Sequence, residues 1–291
     1  MGNIEKTEEM HRLFDRTAKV YDQSGVEFFG PIGRRLVELA GLPSGASVLD
    51  VGCGRGAALL PAAEAVGADG EAVGIDISEE MVKHATETVQ DRGLDHVTVS
   101  VMNGQRPDFP AARFDAVIGS CSLFIWTKGP DDVRPYRELL RPGGRFATAA
   151  PSFFSTLQGR WALFPEILNE LLMPYMLRSL KQNGAYDSQF ADAGTNWLAT
   201  PELIEKTLTE AGFADVAVQE EDLPVVVTSG RQWVEFTYTT GMRGMWERIE
   251  EQERARLVAE VTRRLDRLKD GNGFITTPVP IVYIRANTPE S

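Results

Sequence analysis

The chain is poor in the residues that most often carry visible chemistry. Among 291 residues there are two cysteines, Cys53 and Cys121, and three histidines, His11, His84 and His96. Two cysteines with no C-x-x-C pattern and no histidine cluster exclude a disulfide framework and a structural zinc site, so they read as reduced, half-buried thiols. No histidine follows residue 96, and the commonest general base is therefore missing from the greater part of the chain. Long apolar runs are absent too, since nothing approaches the roughly 18 residues of a membrane-spanning helix. The start, M-G-N-I-E-K, lacks the basic-then-apolar layout of a secretory leader. Lys6 also stands where a myristoylation pattern wants Ser or Thr. These absences predict a cytoplasmic protein. Positive charge is scarce as well: 30 Lys and Arg against 42 Asp and Glu leave a net charge of −12. A polyanion would be repelled at long range, so the expected partner is a small molecule and not nucleic acid.

What is present is an ordinary globular composition, 43% hydrophobic and 25% charged, organised around S-V-L-D-V-G-C-G-R-G at residues 47–56. Val48, Leu49 and Val51 make an apolar run suited to a central parallel strand. Gly52, Gly54 and Gly56 then allow a tight turn and close approach of a ligand, because none carries a Cβ. The helix that follows turns its free amide groups toward that ligand and favours negative charge there. Gly52, Gly54 and Ala57 fit G-x-G-x-x-A, a pattern that a dinucleotide site also satisfies. Asp76, 24 residues beyond Gly52 at the end of the next apolar strand, supplies a carboxylate for ribose hydroxyls. Up to this point NAD and S-adenosylmethionine remain equal candidates.

The composite separates them. V-L-D-V-G-C-G-R-G, G-I-D-I-S, F-D-A-V-I-G-S and L-L-R-P-G-G-R-F follow in that order between residues 48 and 146. Together they resemble the class I S-adenosylmethionine-dependent methyltransferases over residues 45–150. The earlier segment F-D-R-T-A-K-V-Y-D is similar to the leader of bacterial small-molecule methyltransferases, including the ubiquinone and menaquinone type. The resemblance implies an α/β fold: a doubly wound, seven-stranded, mostly parallel Rossmann-like sheet with N-terminal helices and an inserted helical cap. It implies S-adenosylmethionine as cofactor and S-adenosylhomocysteine as product. It also implies a cofactor set of Tyr21, Asp50, Gly52, Cys53, Gly54, Asp76, Ile77, Met81, Asn103, Gly104 and Ser120. For Tyr21 and Met81 simple core packing is the competing reading. A nicotinamide oxidoreductase would lack a reason for L-L-R-P-G-G and would want a Tyr-x-x-x-Lys pair. Gly119-Ser120-Cys121-Ser122 stands where nucleic-acid amino-methyltransferases carry N/D-P-P-Y/F.

The remaining pattern predicts helices over 3–24 and 30–40, a charged helix over 247–269 with a solvated face, and a last, antiparallel strand over 274–285 inside the sheet. It divides the chain into an N-terminal helical lid (1–45), a cofactor-binding core (46–150), a helical cap insertion (151–199) and the rest of the sheet (200–291) with a helical segment over 228–272. The apolar acceptor pocket expected under the cap would be lined by Phe124, Trp126, Phe153, Phe154, Trp161 and Tyr175. His11 is the sole histidine with a route to the cleft. With Leu123-Phe124-Ile125-Trp126 where relatives often carry a histidine, methyl transfer to a small apolar or aromatic metabolite, of the kind tailored in secondary metabolism, is expected to depend mainly on in-line positioning. The alternative is a protein of the same fold that binds the cofactor but catalyses another reaction, or only binds a ligand. The sequence leaves a homodimer open and marks no metal site.

Overall fold

The computed structural model describes residues 2–152, 164–183 and 196–290. Its centre is a seven-stranded sheet in the order β3-β2-β1-β4-β5-β7-β6. The strands are β1 (Ser47–Val51), β2 (Glu71–Asp76), β3 (Val97–Val101), β4 (Phe114–Ser120), β5 (Leu140–Pro151), β6 (Ala214–Val227) and β7 (Ile275–Asn287). The pairs β1–β2, β1–β4, β2–β3 and β4–β5 are parallel, while β7 runs antiparallel between β5 and β6. The expected interior, antiparallel last strand is therefore present. Every residue of β1 is buried, as a strand covered by helices on both faces requires.

Alternation along the strands sorts the core onto two faces. Val48, Ala116 and Ala147 pack on one side with Ile32 and Leu36 of α2 (Phe29–Ala40) and Ala62 of α3 (Leu59–Val66). Leu49, Val117 and Phe146 face the other side, against Tyr136 of α5 (Pro130–Leu139) and Leu208 of α7 (Pro201–Glu210). Between these lie α4 (Glu79–Asp91) and, after the undescribed part of the cap, α6 (Asn169–Asn183). The C-terminal third adds α8 (Gly230–Tyr238), α9 (Arg243–Glu247) and α10 (Glu251–Asp266) between β6 and β7. Among the described residues no helix is long and apolar enough to cross a membrane.

Two helix readings need correction. The first helix, α1 (Gly2–Ala18), stops six positions before residue 24. Beyond it Asp22 sits in the left-handed region at φ 55°, which no helix continues through. The charged helix begins at Glu251, because Glu250 accepts from the amides of Gln252 and Glu253 at 3.0 and 3.3 Å and caps it. Its Leu257, Val261 and Leu265 are buried, so a core stripe lies under the Arg–Glu pairs.

α2 crosses the start of α3 at Gly33, where a Cβ would lie 2.2 Å from the Ala57 carbonyl oxygen and 2.9 Å from the Ala58 nitrogen. Those are backbone atoms of the segment that leads out of the glycine turn, so they yield only if α2 moves. Gly33→Ala is expected to lower stability by about 1–3 kcal/mol, the cost of overpacking a close core contact. Thermal unfolding checks it, and a midpoint equal to that of the unchanged protein would refute the contact.

Candidate functional site

A cavity of about 770 Å³ opens at the carboxyl ends of β1, β2 and β4, where a doubly wound sheet presents its ligand site. One wall is the glycine turn after β1. Gly52, Gly54 and Gly56 adopt φ of 70°, 53° and 96°, values that side-chain-bearing residues resist. The amides of Gly52 and Cys53 both donate to the Ile75 carbonyl, at 2.8 and 3.0 Å. This ties the exit of β1 to the exit of β2. A Cβ on Gly52 would stand 2.6 Å from Ser122 Cβ, and one on Gly104 would stand 2.8 Å from Val51 Cγ1 and 3.1 Å from Trp126 Cζ2. The cradle is open only because these side chains are missing.

The same tie brings Asp76 under the turn. Its Oδ2 accepts from Gly54 N and its Oδ1 from Ser78 N, each at 2.9 Å. Burial pushes its carboxyl up, and the amides of Ser78, Gly54 and Ile77 pull it back. One lone pair on each oxygen remains for a ligand hydroxyl. Asp76, Ile77, Met81, Asn103, Gly104 and Ser120 all line the cavity, as do Gly52, Cys53, Gly54 and Tyr21. Asn103 Oδ1 accepts from Gln105 N at 2.9 Å, which fixes the amide's orientation. These groups fit an adenosyl cofactor: an open glycine cradle, a ribose-type carboxylate at a strand end and a hydrogen-bonding amide one strand further on.

Asp50 is the exception in that set. It is 1% exposed, it does not line the cavity, and neither carboxylate oxygen has a hydrogen-bond partner. Burial, then the neighbouring Asp76 charge, push its carboxyl up to about 8. Its place is beneath the turn, behind the wall.

Trp126 was expected on the acceptor side, yet it stands against Gly52 and Gly104. Its Nε1 donates to Tyr136 Oη at 2.7 Å, and Tyr136 donates in turn to the Gly104 carbonyl at 2.7 Å. This buried chain holds the indole on the half of the cavity with Asn103 and Lys128. Phe124 does not line the cavity; it is partly buried against the core on the side of Leu49, Val117 and Phe146. Tyr175, on α6, also turns away, donating its hydroxyl to Glu253 Oε1 at 2.7 Å. Phe153, Phe154 and Trp161 lie outside the described residues.

His11 has no place in the cavity either. Its Nε2 is 3.0 Å from Asp15 Oδ2, and Asp15 Oδ1 accepts from Ser78 Oγ at 2.5 Å. Ser78 meanwhile caps α4 by accepting from Met81 N. Asp15, with the histidine beside it on α1, thus links α1 to α4.

The opposite half of the cavity is walled by Phe14, Tyr21, Asp22, Phe29, Arg34 and Cys121. Tyr21 stacks on Phe29 with ring centroids 4.9 Å apart and meets the edge of Phe14 at 6.1 Å. Sequence reasoning stopped at Tyr21 of the Y-D pair and missed Asp22, one residue on. The signal was there in the quoted leader segment, but only the turn after α1 aims Asp22 into the cavity. Among the described residues no cluster of His, Cys, Asp and Glu could hold a metal ion.

Residues 42–212 match a family model described as a methyltransferase domain. The chain is 38% identical over 272 residues to nocamycin O-methyltransferase of Saccharothrix syringae, covering 94% of this chain and 96% of that one. It is 36% identical over 203 residues to aklanonic acid methyltransferase of Streptomyces sp. (strain C5), covering 70% and 90%. A crystal structure of the YcgJ protein of Bacillus subtilis shares the fold, with a TM-score of 0.57 at 17% identity over 89% of this chain and 99% of that one.

Asp76→Ala removes hydrogen bonds to a charged group worth about 1.5–3 kcal/mol. Calorimetry is expected to show S-adenosylhomocysteine binding weakened roughly ten- to hundredfold. Gly52→Ala is expected to weaken it at least as much, through its left-handed backbone and the approach to Ser122. Unchanged affinity in both would place the nucleoside elsewhere. With a family match over residues 42–212, a relative aligned along nearly the whole chain and the seven-stranded fold in agreement, the chain belongs to the S-adenosylmethionine-dependent methyltransferases.

Proposed function

We propose that this methyltransferase acts on an oxygen of a small, largely apolar or aromatic metabolite, in secondary metabolism. The observation that carries the proposal is the aromatic half of the cavity: Phe14, Tyr21 and Phe29 pack together beside the end of β4. Relatives whose names specify an O-methyltransferase and a methyltransferase of an acid support oxygen as the acceptor atom.

S-adenosylmethionine, when bound, supplies a methyl group on a positively charged sulfur that is open to displacement in line. The chain supplies position and dryness. In our reading Asp76 accepts from the ribose hydroxyls, Asn103, Met81 and Trp126 border the base, and the glycine turn lets the amino-acid end approach the backbone. The aromatic wall would hold the acceptor and exclude water from the path of transfer. Residues 1–45 serve as a lid in this proposal. Arg55, from the glycine turn, donates to the carbonyls of Ala18 and Lys19 at 2.9 and 3.4 Å and so closes the end of α1 over the cavity. We also place the enzyme in the cytoplasm, without nucleic acid as a partner, and with a homodimer as an open assembly.

Positioning supplies most of the rate in this reading for an acceptor that has already lost its proton to water, such as a carboxylic acid or an acidic enol, because no histidine lines the cavity to take one. Incubation with S-adenosylmethionine and a panel of phenols, enols and aromatic acids, followed by mass spectrometry, is expected to yield an O-methyl product. At saturating cofactor kcat is expected to stay level above about pH 7 for a carboxylic acid or acidic enol, and to rise with pH toward the acceptor's own pKa for a phenol. Methylation at nitrogen or carbon would overturn the oxygen assignment. Cofactor binding with no methylated product across the panel would favour a different reaction on the same fold.

A further inference from the structure

Asp22 is a carboxylate that constrained backbone holds at the wall of the cavity. It stands in left-handed backbone at φ 55°, and its amide donates to the Thr239 carbonyl at 3.2 Å, where α8 ends. It lines the cavity beside Tyr21 and faces Cys121, which follows β4 and is itself left-handed at φ 54°. Its Oδ1 is buried and has no hydrogen-bond partner. The charged groups it feels are Arg55 from the glycine turn and Glu27 from its own loop. It also raises the thiol of Cys121, already pushed up to about 12 by burial. Arg55 is engaged by the Ala18 and Lys19 carbonyls, and Arg34 borders the same cavity from α2. Thr239, at the end of α8, offers a carbonyl and no charge.

Cofactor and product differ at one atom. S-adenosylmethionine carries a positive sulfur, whereas S-adenosylhomocysteine carries a neutral thioether. Ammonium, carboxylate, ribose and base are the same in both. We propose that ionised Asp22 is a specificity-determining residue that makes the cavity favour the positively charged cofactor over the neutral product, so that loss of the sulfur's charge on transfer weakens retention of the product. The proposal rests on the cofactor assignment above. A carboxylate with one buried, unpartnered oxygen, in a cavity bordered by aromatic rings, acts on a nearby charge through less water than a surface acid does. At an effective dielectric constant of ~20 and a separation of ~8 Å, discounted for partial exposure, its preference amounts to roughly tenfold in affinity.

The preference carries a pH signature. Burial raises the Asp22 carboxyl to about 6, with Arg55 opposing and Glu27 adding to the rise. Above that value the group is ionised and discriminates; as pH falls through it, the group takes a proton and the discrimination disappears. The ribose and base titrate alike in both ligands and cancel in the ratio of affinities; the sulfonium makes the cofactor's ammonium the more acidic of the two, but below about pH 7 it stays protonated in both.

Calorimetry with S-adenosylmethionine and S-adenosylhomocysteine at about pH 7 and about pH 5 tests this, on the unchanged protein, Asp22→Asn and Asp22→Glu. The ratio favouring S-adenosylmethionine is expected to fall roughly tenfold between the two pH values in the unchanged protein. Asp22→Asn is expected to give the lower ratio at both pH values, with S-adenosylhomocysteine affinity retained, and Asp22→Glu to restore the pH dependence. A ratio that does not change with pH in the unchanged protein overturns the proposal without relying on any variant. So does a pH dependence that survives Asp22→Asn. If neither ligand binds the unchanged protein, it is the cofactor assignment that fails.

Discussion

One backbone interaction organises the site: the paired bonds from Gly52 and Cys53 to the Ile75 carbonyl. They clamp the end of β1 to the end of β2, and so the glycine turn lies over Asp76 instead of beside it. From there Asp76 grips the turn through Gly54 N and the start of α4 through Ser78 N. The cavity's floor is therefore made of main chain held by main chain. Its width depends on absent side chains, since a Cβ at Gly52, Gly104 or Gly33 would collide with Ser122, with Val51 and Trp126, or with the Ala57 carbonyl. Such a site holds its shape without the ligand, which keeps the ordering cost of binding low.

The N-terminal helix is fastened over this floor at several places along its length. Arg55 holds the carbonyls at its end, Asp15 meets the Ser78 cap of α4, and Arg16 pairs with Glu247 at 2.6 Å. Arg248 adds a contact to Glu9. Most of these links are partly exposed ion pairs or hydrogen bonds, individually worth little. They also span three elements that the sheet holds separately. In the lid role proposed for residues 1–45, fastening of this kind would let the helix open at modest cost for exchange of cofactor and product.

The sheet and the cofactor half were legible because their signals are local. Three glycines between an apolar strand and a helix, a carboxylate closing the next strand, and an amide closing the third each follow from a few adjacent residues, and the cavity brings them together. Asp50 misled for the same reason: its neighbours in sequence line the site, but the alternation of β1 points it beneath the turn. The wall proposed for the acceptor was poorly legible because it is assembled from distant pieces. Phe124 and Trp126 are two residues apart in a short 3₁₀ turn (Leu123–Ile125) and its cap; both rest partly buried on the same core cluster, but only Trp126 reaches the cavity. Tyr175 belongs to an amphipathic helix whose facing partner, Glu253, lies 78 residues away. Asp22 reads as one more surface acid until the end of α1 and the φ of 55° aim it inward.

A crystal structure of the protein with S-adenosylhomocysteine would test the central claim most directly. The account predicts ribose hydroxyls on Asp76, the base bordered by Trp126, Met81 and Asn103, and the sulfur facing the Asp22 and Cys121 end of the cavity. A nucleoside bound away from the glycine turn, or a sulfur turned from the aromatic wall of Phe14, Tyr21 and Phe29, would contradict it.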